Sequence, residues 1–367
     1  MKRSSFIKQF GVAVFGLAVL GADARADDGG ALYTMDNSAS GNHVLAFSRE
    51  ENGRLFGQGS FATAGTGSGS GLSSQGSIAL SLDGRWLFVC NAGSSEISVM
   101  AVTKNGLQLT DKVASGGIMP VSLALQRNLL YVLNAGGGAG DKDDLTAFVL
   151  TDGKLLAVPN STRALSADNT GPAQISFSSD GETLIVTERL TNLIDTFALD
   201  DNGLPGTHKT FQSAGTTPFG FDVGHGNRLF VSEAASGSAS SYAVSDSGDL
   251  EVISPAVPTE QTAACWLLAL HDGRFIYTAN AGSGSISGFH VAHDGSLALL
   301  NVDGRTAVTG PGSHPVDLAQ SRDGRFLYNL ANGNGTLNAF TVQQDGALQP
   351  LMTVSGIPAS AAGLVAR

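Results

Sequence analysis

Leu80-Ser-Leu-Asp-Gly-Arg-Trp-Leu-Phe-Val-Cys-Asn91 and Leu268-Ala-Leu-His-Asp-Gly-Arg-Phe-Ile-Tyr-Thr-Ala-Asn280 are two copies of one unit. An apolar strand runs into an Asp-Gly turn, and a second apolar strand leaves the turn and stops at an Asn. Asp-Gly readily supplies the left-handed backbone that a tight hairpin requires, so the pair reads as an antiparallel hairpin. Equivalent turns stand at Asp83-Gly84, Gln126-Arg127-Asn128, Asp180-Gly181, His225-Gly226, Asp272-Gly273 and Asp323-Gly324. From Asp83 to Asp323 is 240 residues in five steps, a mean period of 48.

Working outward, each hairpin is followed by a period-two strand such as Ile286-Ser-Gly-Phe-His-Val291 or Leu337-Asn-Ala-Phe-Thr-Val342. A fourth follows another turn, as in Asp294-Gly-Ser-Leu-Ala-Leu-Leu300. No long segment keeps a 3.6-residue apolar period, which excludes a helical protein. Four antiparallel strands in a period of 40 to 50 residues describe a β-propeller blade. Residues 27–367 hold about seven such units, so the fold expected is an all-β, seven-bladed β-propeller forming a single domain. The first unit begins directly at a second strand, Ala31–Asp36, and the last residues, Ala362–Ala366, read as an inner strand without a blade of its own. The C-terminal strand is therefore expected to complete blade 1 and remove an exposed sheet edge.

Residues 1–26 read as a signal peptide: Lys2, Arg3 and Lys8 precede an apolar run from Phe10 to Leu20, and Ala24-Arg25-Ala26 has the small-x-small form of a cleavage site. The run is too short for a permanent span. Export to the periplasm or medium is expected. Only 14% of residues are charged and 42% are hydrophobic, a composition that forms a core rather than a disordered chain. The net charge is −11, and removing residues 1–26 leaves 17 basic and 31 acidic side chains, or −14. Such a charge repels phosphate backbones and anionic headgroups, so neither nucleic acid nor membrane is the expected partner. A monomer binding a small molecule at the mouth of the central channel is expected, with no cofactor and no metal.

In a four-stranded blade the Asp-Gly turns all lie on one side of the ring. The opposite side collects the ends of the second strands and the segments leading into the inner strands, and a ligand site is expected there. The second strands end at Asp36, Asn91, Asn134, Glu188, Glu233, Asn280 and Ala331, a polar ring with three carboxylates. Asn and Asp are good turn residues and Glu is a poorer one, which singles out Glu188 and Glu233 as a candidate acid/base pair. The collar leading into the inner strands offers Met119, Phe219 and Trp266 as apolar surface, His314 as an imidazole, and Arg189 as a neighbouring cation. Catalytic candidates are thus Glu188, Glu233 and His314, and binding candidates are Asp36, Asn91, Asn134, Arg189, Phe219, Trp266 and Asn280. Cys90 and Cys265 are placed on different blades, which argues against a disulfide. Gly65-Thr-Gly-Ser-Gly-Ser-Gly71 leads into no helix and reads as a flexible connection rather than a phosphate loop.

With these residues in view, the repeats resemble the lactonase family of seven-bladed propellers, which includes bacterial 6-phosphogluconolactonase and fungal carboxy-cis,cis-muconate cyclase. The resemblance covers residues 31–366 and rests on Asp323-Gly-Arg-Phe-Leu-Tyr328 and on Val186-Thr-Glu-Arg-Leu190, which is similar to the family's Asn-Glu-Leu segment. It implies a site role for Glu188. The family's Gly-Pro-Arg-His stands here as Gly171-Pro-Ala-Gln174, its Pro-Cys-His as Pro120-Val-Ser122 and Ala264-Cys-Trp266, and its Pro-Arg as Pro315-Val316. Those changes remove the cations that a phosphorylated or carboxylated substrate needs. The resemblance then implies an exported hydrolase of a small, non-phosphorylated lactone or ester, with a carboxylate activating water. The alternatives are a propeller that binds a ligand, glycan or protein without turnover, and a muconate-type cyclase.

Overall fold

The computed structural model describes residues 29–138 and 140–367, and the expected signal peptide lies outside them. Seven antiparallel sheets make up the described chain, and all but blade 1 are ordered inner to outer as consecutive strands. Inner strands are Ala362–Ala366 for blade 1, Ile78–Leu80, Pro120–Gln126, Pro172–Phe177, Pro218–Gly224, Ala264–Ala269 and Pro315–Gln320. The blades are four-stranded, with the outermost strand broken into two short pieces in blades 3 and 6. As the sequence indicates, the C-terminal strand pairs with Gly30–Met35, Tyr33 facing Val365 and Met35 facing Ala362. Among the described residues no helix is long and apolar enough to cross a membrane.

The second strand of each blade is covered by neighbouring blades on both faces, which is why it reads as an unbroken apolar run. Leu87–Asn91, Leu130–Asn134, Thr183–Glu188 and Phe275–Asn280 are buried throughout. Interfaces between blades are further tied by tyrosines. The hydroxyl of Tyr131 donates to Gly203 O at 2.5 Å, Tyr277 to Gly346 O at 2.8 Å and Tyr328 to Gly53 O at 3.0 Å. The last of these crosses from blade 7 to blade 1, so the seam that closes the ring is bonded like the other two interfaces. At the Asp-Gly turns the glycines are left-handed, Gly84 at φ 69° and Gly324 at φ 73°. In blade 3, which lacks the glycine, Arg127 adopts φ 55°.

The connection from blade 1 to blade 2 departs from its reading as a flexible link. After Gly67 donates to Ser38 O, the chain passes over the channel and is bonded to three other blades. Ser74 Oγ donates to Val121 O at 2.8 Å, Gln75 N to Ala173 O at 2.9 Å, and Gln75 Nε2 to Leu267 O at 2.7 Å. Trp266 Nε1 donates back to Ser74 O at 3.0 Å. Leu72, Ser74 and Gln75 are buried. The segment Leu72–Gly76 is a plug across one end of the axis, and Gly76, at φ 80°, lets the chain turn into the inner strand of blade 2.

Candidate functional site

The third residue of the inner strand sets the chemistry at the plugged end. In blades 3 to 7 it is Ser122, Gln174, Gly220, Trp266 and Asp317. Ser122 Oγ accepts from Ile175 N of the next blade at 3.2 Å. The Gln174 carboxamide accepts from Phe221 N at 2.7 Å and donates to Phe221 O at 2.9 Å. Gly220 has no side chain for this role, and Gln75 from the plug takes it, accepting from Leu267 N at 3.0 Å while donating to Leu267 O. Asp317 accepts from its neighbour Leu318 N at 2.9 Å and from Leu364 N of blade 1. Side chains at this level therefore clamp one blade to the next.

Asp317 is the one ionisable member of that set. Burial penalises its charged form and pushes its pKa up to about 7, against the pull of the two backbone N–H groups. A neutral Gln performs the clamp in blade 4, and a second carboxylate, Asp222, ties blade 5 to blade 6 by accepting from Val223 N at 2.8 Å and Ala269 N at 2.9 Å, its pKa raised by burial to about 6. Asp317 also lines a cavity of about 50 Å³ at the mouth, together with Ser74, Trp266, His314 and Asn332. That volume holds one or two waters, at about 30 Å³ each. His314 is exposed at the rim with Nδ1 3.2 Å from Asn332 Oδ1. His314 has left-handed backbone at φ 47°, as do Met119, Thr217 and Ala263 before the inner strands of other blades, whereas Asp317 has φ 60° inside its strand. For residues with a Cβ this is an uncommon conformation that clusters at functional sites.

Trp266 and His314, both expected from sequence, thus share one cavity. Phe219 and Arg189 join them through stacking: the Phe219 and Trp266 rings are 4.8 Å apart at 58°, and the Arg189 guanidinium lies 5.6 Å from the Phe219 centroid. Arg189 Nε donates to Gly171 O at 3.0 Å, and burial lowers its pKa. Cys265 lies close to Arg189, and burial pushes its thiol up to about 12, so it is no nucleophile at neutral pH.

The polar ring lies elsewhere and faces into the protein. Asn91 donates to Ser98 Oγ at 2.8 Å and accepts from Thr63 Oγ1 at 2.7 Å, and Asn280 donates to Ser287 Oγ at 2.8 Å. Asn134 donates to Asp144 Oδ1 at 2.8 Å, and Asp36 accepts from His43 N at 2.9 Å. Glu188 is fully buried and accepts from Ser166 N at 3.0 Å, Ser166 Oγ at 2.6 Å and Thr191 Oγ1 at 2.6 Å. Glu233, also fully buried, accepts from Ser213 Oγ at 2.7 Å, and burial raises its pKa. None of these six side chains lines the mouth cavity. Glu188, Glu233 and Asn91 hold Ser166, Ser213 and Thr63 in the connections that lead to inner strands, whereas Asn134, Asn280 and Asp36 bond within their own blades.

Two acidic residues escaped the sequence reading. Asp317 was legible only as a charge in an inner strand that is otherwise apolar or neutral. Asp195 occupies the third-strand position held by Ser98, Thr146, Ser240, Ser287 and Asn338 in other blades. It is buried against Glu188, and desolvation with the Glu188 charge raises its pKa.

A closed propeller with a plugged axis and an ionisable carboxylate in a small cavity at its mouth defines a class: propellers whose chemistry, where they have any, sits at the end of the axis. The family model described as "Lactonase, 7-bladed beta-propeller" matches residues 24–139, 144–265 and 224–362, and the chain belongs to that family. A search of curated proteins finds no match. Among solved structures, a Bacteroides uniformis protein proposed as a 6-phosphogluconolactonase aligns at 20% identity over 92% of this chain and 99% of its own, TM-score 0.74. A Pseudomonas aeruginosa periplasmic gluconolactonase aligns at 17% over 91% and 98%, TM-score 0.71. A functionally unknown protein from Desulfotomaculum acetoxidans aligns at 14% over 91% and 98%, TM-score 0.71. At these identities the likeness is one of fold.

Proposed function

We propose that this protein is an exported lactonase acting on a small, non-phosphorylated lactone at the plugged mouth, with Asp317 as general base. The observation that carries the reading is the water-sized cavity bounded by Asp317, Trp266 and His314 in a member of the lactonase family. A carboxylate titrating near neutrality is well placed to take a proton at physiological pH. A water in the cavity loses a proton to Asp317 while its oxygen adds to the lactone carbonyl carbon. Collapse of the tetrahedral intermediate breaks the acyl C–O bond, and the ring oxygen takes a proton from His314 or solvent to give the hydroxy acid. Glu188 and Glu233, the sequence candidates for the base, support the site by holding the loops in place.

A non-phosphorylated substrate fits the charge at the mouth. His314 is the only basic side chain lining the cavity, and Arg189 is turned to Gly171 O and stacked on Phe219. The fold likeness to a periplasmic gluconolactonase supports both this substrate class and the export suggested by residues 1–26. The test is pH-stat hydrolysis of glucono-1,5-lactone and a panel of γ- and δ-lactones. Wild type is expected to turn over, Asp317→Asn to lose at least about 100-fold in kcat, and Glu188→Gln and Glu233→Gln to retain turnover. Full turnover in Asp317→Asn would remove it as the base. Cell fractionation and N-terminal sequencing test export, with a mature chain beginning at Asp27 expected.

The cavity's small volume favours one second reading, a propeller that binds a ligand on the rim without turning it over. Trp266-dependent binding of a lactone that is never hydrolysed would establish it.

A further inference from the structure

The other end of the axis carries a second cavity, of about 370 Å³, where the inner strands finish. Its floor is apolar, formed by Leu268, Leu318 and Leu364, and its rim carries Arg322, Arg367 and His271. Arg322 also lines the two neighbouring cavities, of about 410 and 530 Å³, and the second of these has Arg127 on its wall. Three guanidinium groups therefore surround one mouth of a chain with 21 basic and 32 acidic side chains.

The carboxylates of the Asp-Gly turns at this mouth are already engaged, and the remaining one on the neighbouring cavity wall, Asp152, is exposed. Asp83 accepts from Arg85 Nε at 2.6 Å and Ser81 Oγ at 2.6 Å, and these bonds hold it at about 2. Asp323 accepts from Arg325 Nε at 2.9 Å and Ser321 Oγ at 2.5 Å, and Asp272 accepts from Arg274 Nε at 2.8 Å. Arg322, Arg367 and Arg127, in contrast, have no carboxylate within 4.0 Å among the described residues. Arg367 Nε is buried without a hydrogen-bond partner. The same turn that places a paired Arg after Asp-Gly in blades 2, 6 and 7 thus leaves Arg322, one residue before it, free over the axis.

We infer that this mouth is a binding site for a small organic carboxylate with a compact apolar body. Arg guanidinium groups match a carboxylate bidentately, and the leucine floor takes the hydrocarbon part. The volume lies in the range of small-molecule pockets, about 300–1,000 Å³. Leu82, 93% exposed on the rim, extends the apolar wall outward. Inorganic phosphate has no apolar part to place on that floor, and a neutral ligand leaves the arginines unanswered. The plug and the packed inner strands separate this cavity from the mouth that holds Trp266 and Asp317, so the two sites are independent.

The test is calorimetric titration of the full chain with 2-naphthoate and with its neutral isostere 2-naphthamide. Binding of naphthoate at least tenfold tighter than the amide is expected. A loss of tenfold or more is expected in Arg322→Gln and a comparable loss in Leu82→Asp, whereas Trp266→Phe is expected to bind as wild type. Both altered positions are exposed, and an unchanged thermal midpoint confirms that each variant is folded. Equal affinity for acid and amide, unchanged affinity in Arg322→Gln, competition by inorganic phosphate at the same affinity, or no binding at millimolar naphthoate would each overturn the inference.

Discussion

The carboxamide of Gln75 occupies the space that a side chain at Gly220 would fill: a β-carbon on Gly220 would overlap Gln75 Oε1 and crowd Cys265 O at 2.8 Å. The blade-to-blade clamp that Gln174 makes from within blade 4 is supplied in blade 5 by the plug. The missing side chain and the inserted loop are thus two halves of one device.

Gly220→Ala is accordingly expected to expel Gln75 from Leu267 and loosen the plug. Two buried hydrogen bonds are lost, at about 1 kcal/mol each net and more if Leu267 N and O stay unsatisfied. Gln75→Ala leaves the space empty and is expected to lose about the same. The double variant should cost little more than Gly220→Ala alone, because both remove the same contact and the crowding of Cys265 O is already present in that single variant. Urea unfolding of the three proteins checks this, and additive losses would mean that Gly220 and Gln75 act separately.

This relationship also marks where sequence reading stops. Asp83-Gly84 and its equivalents revealed the period because a tight hairpin demands a specific backbone, and Ala362–Ala366 showed the closure because a blade lacked its inner strand. The ends of the second strands could be aligned for the same reason. What Gln75 does was hidden, since it depends on Leu267, 192 residues away. Whether Glu188 faces a channel or a loop depends on Ser166 and Thr191, which lie outside the repeat's periodic positions. Trp266 and His314 stood out in the sequence because they are unusual residue types at a mouth that the topology defines, and the structure puts both on one cavity. Asp317 did not stand out, because it lies inside a strand and not at the strand ends that the repeat aligns.

Asp317 predicts an inverse dependence of stability on pH. The unfolded group titrates near 3.8 and the folded one at about 7. Between these values the folded chain keeps a proton that the unfolded chain releases, so the contribution is fully present below about pH 3.8 and is lost as pH rises through 7. Wild type should therefore lose stability between pH 5 and 8 relative to Asp317→Asn, by up to about 3 kcal/mol at roughly 1.4 kcal/mol per unit. Over the same range kcat/KM should climb toward a plateau above pH 7, as the base ionises. Parallel stability curves for the two proteins would show that Asp317 does not titrate there.

Asp195 and Glu188 make the corresponding case in blade 4. Asp195 Oδ1 accepts from Thr210 Oγ1 at 2.9 Å, its Oδ2 has no other partner, and both burial and the Glu188 charge raise its pKa. Asp195 therefore keeps its proton to a higher pH in the folded chain than in the unfolded one, and the stability this contributes is present at low pH and lost as the pH rises through the folded pKa of Asp195. Asp195→Asn puts a permanent donor beside Glu188. Its thermal midpoint is expected to match wild type at pH 5 and exceed it at pH 9. A variant that is less stable by the same amount at both would show that Asp195 does not hold its proton in the folded chain.

The closing seam gives the last prediction. Tyr328 bonds Gly53 O across it at 3.0 Å, as Tyr131 and Tyr277 bond Gly203 O and Gly346 O at interior interfaces. Removing each hydroxyl leaves a buried carbonyl without its partner, at a cost of about 1–3 kcal/mol. Tyr131→Phe, Tyr277→Phe and Tyr328→Phe are expected to lower the urea midpoint by similar amounts, because the C-terminal strand makes blade 1 equivalent to its neighbours. A ring that opened at its seam in solution would be indifferent to the Tyr328 hydroxyl alone, and Tyr328→Phe would then unfold as wild type while the other two variants lost stability.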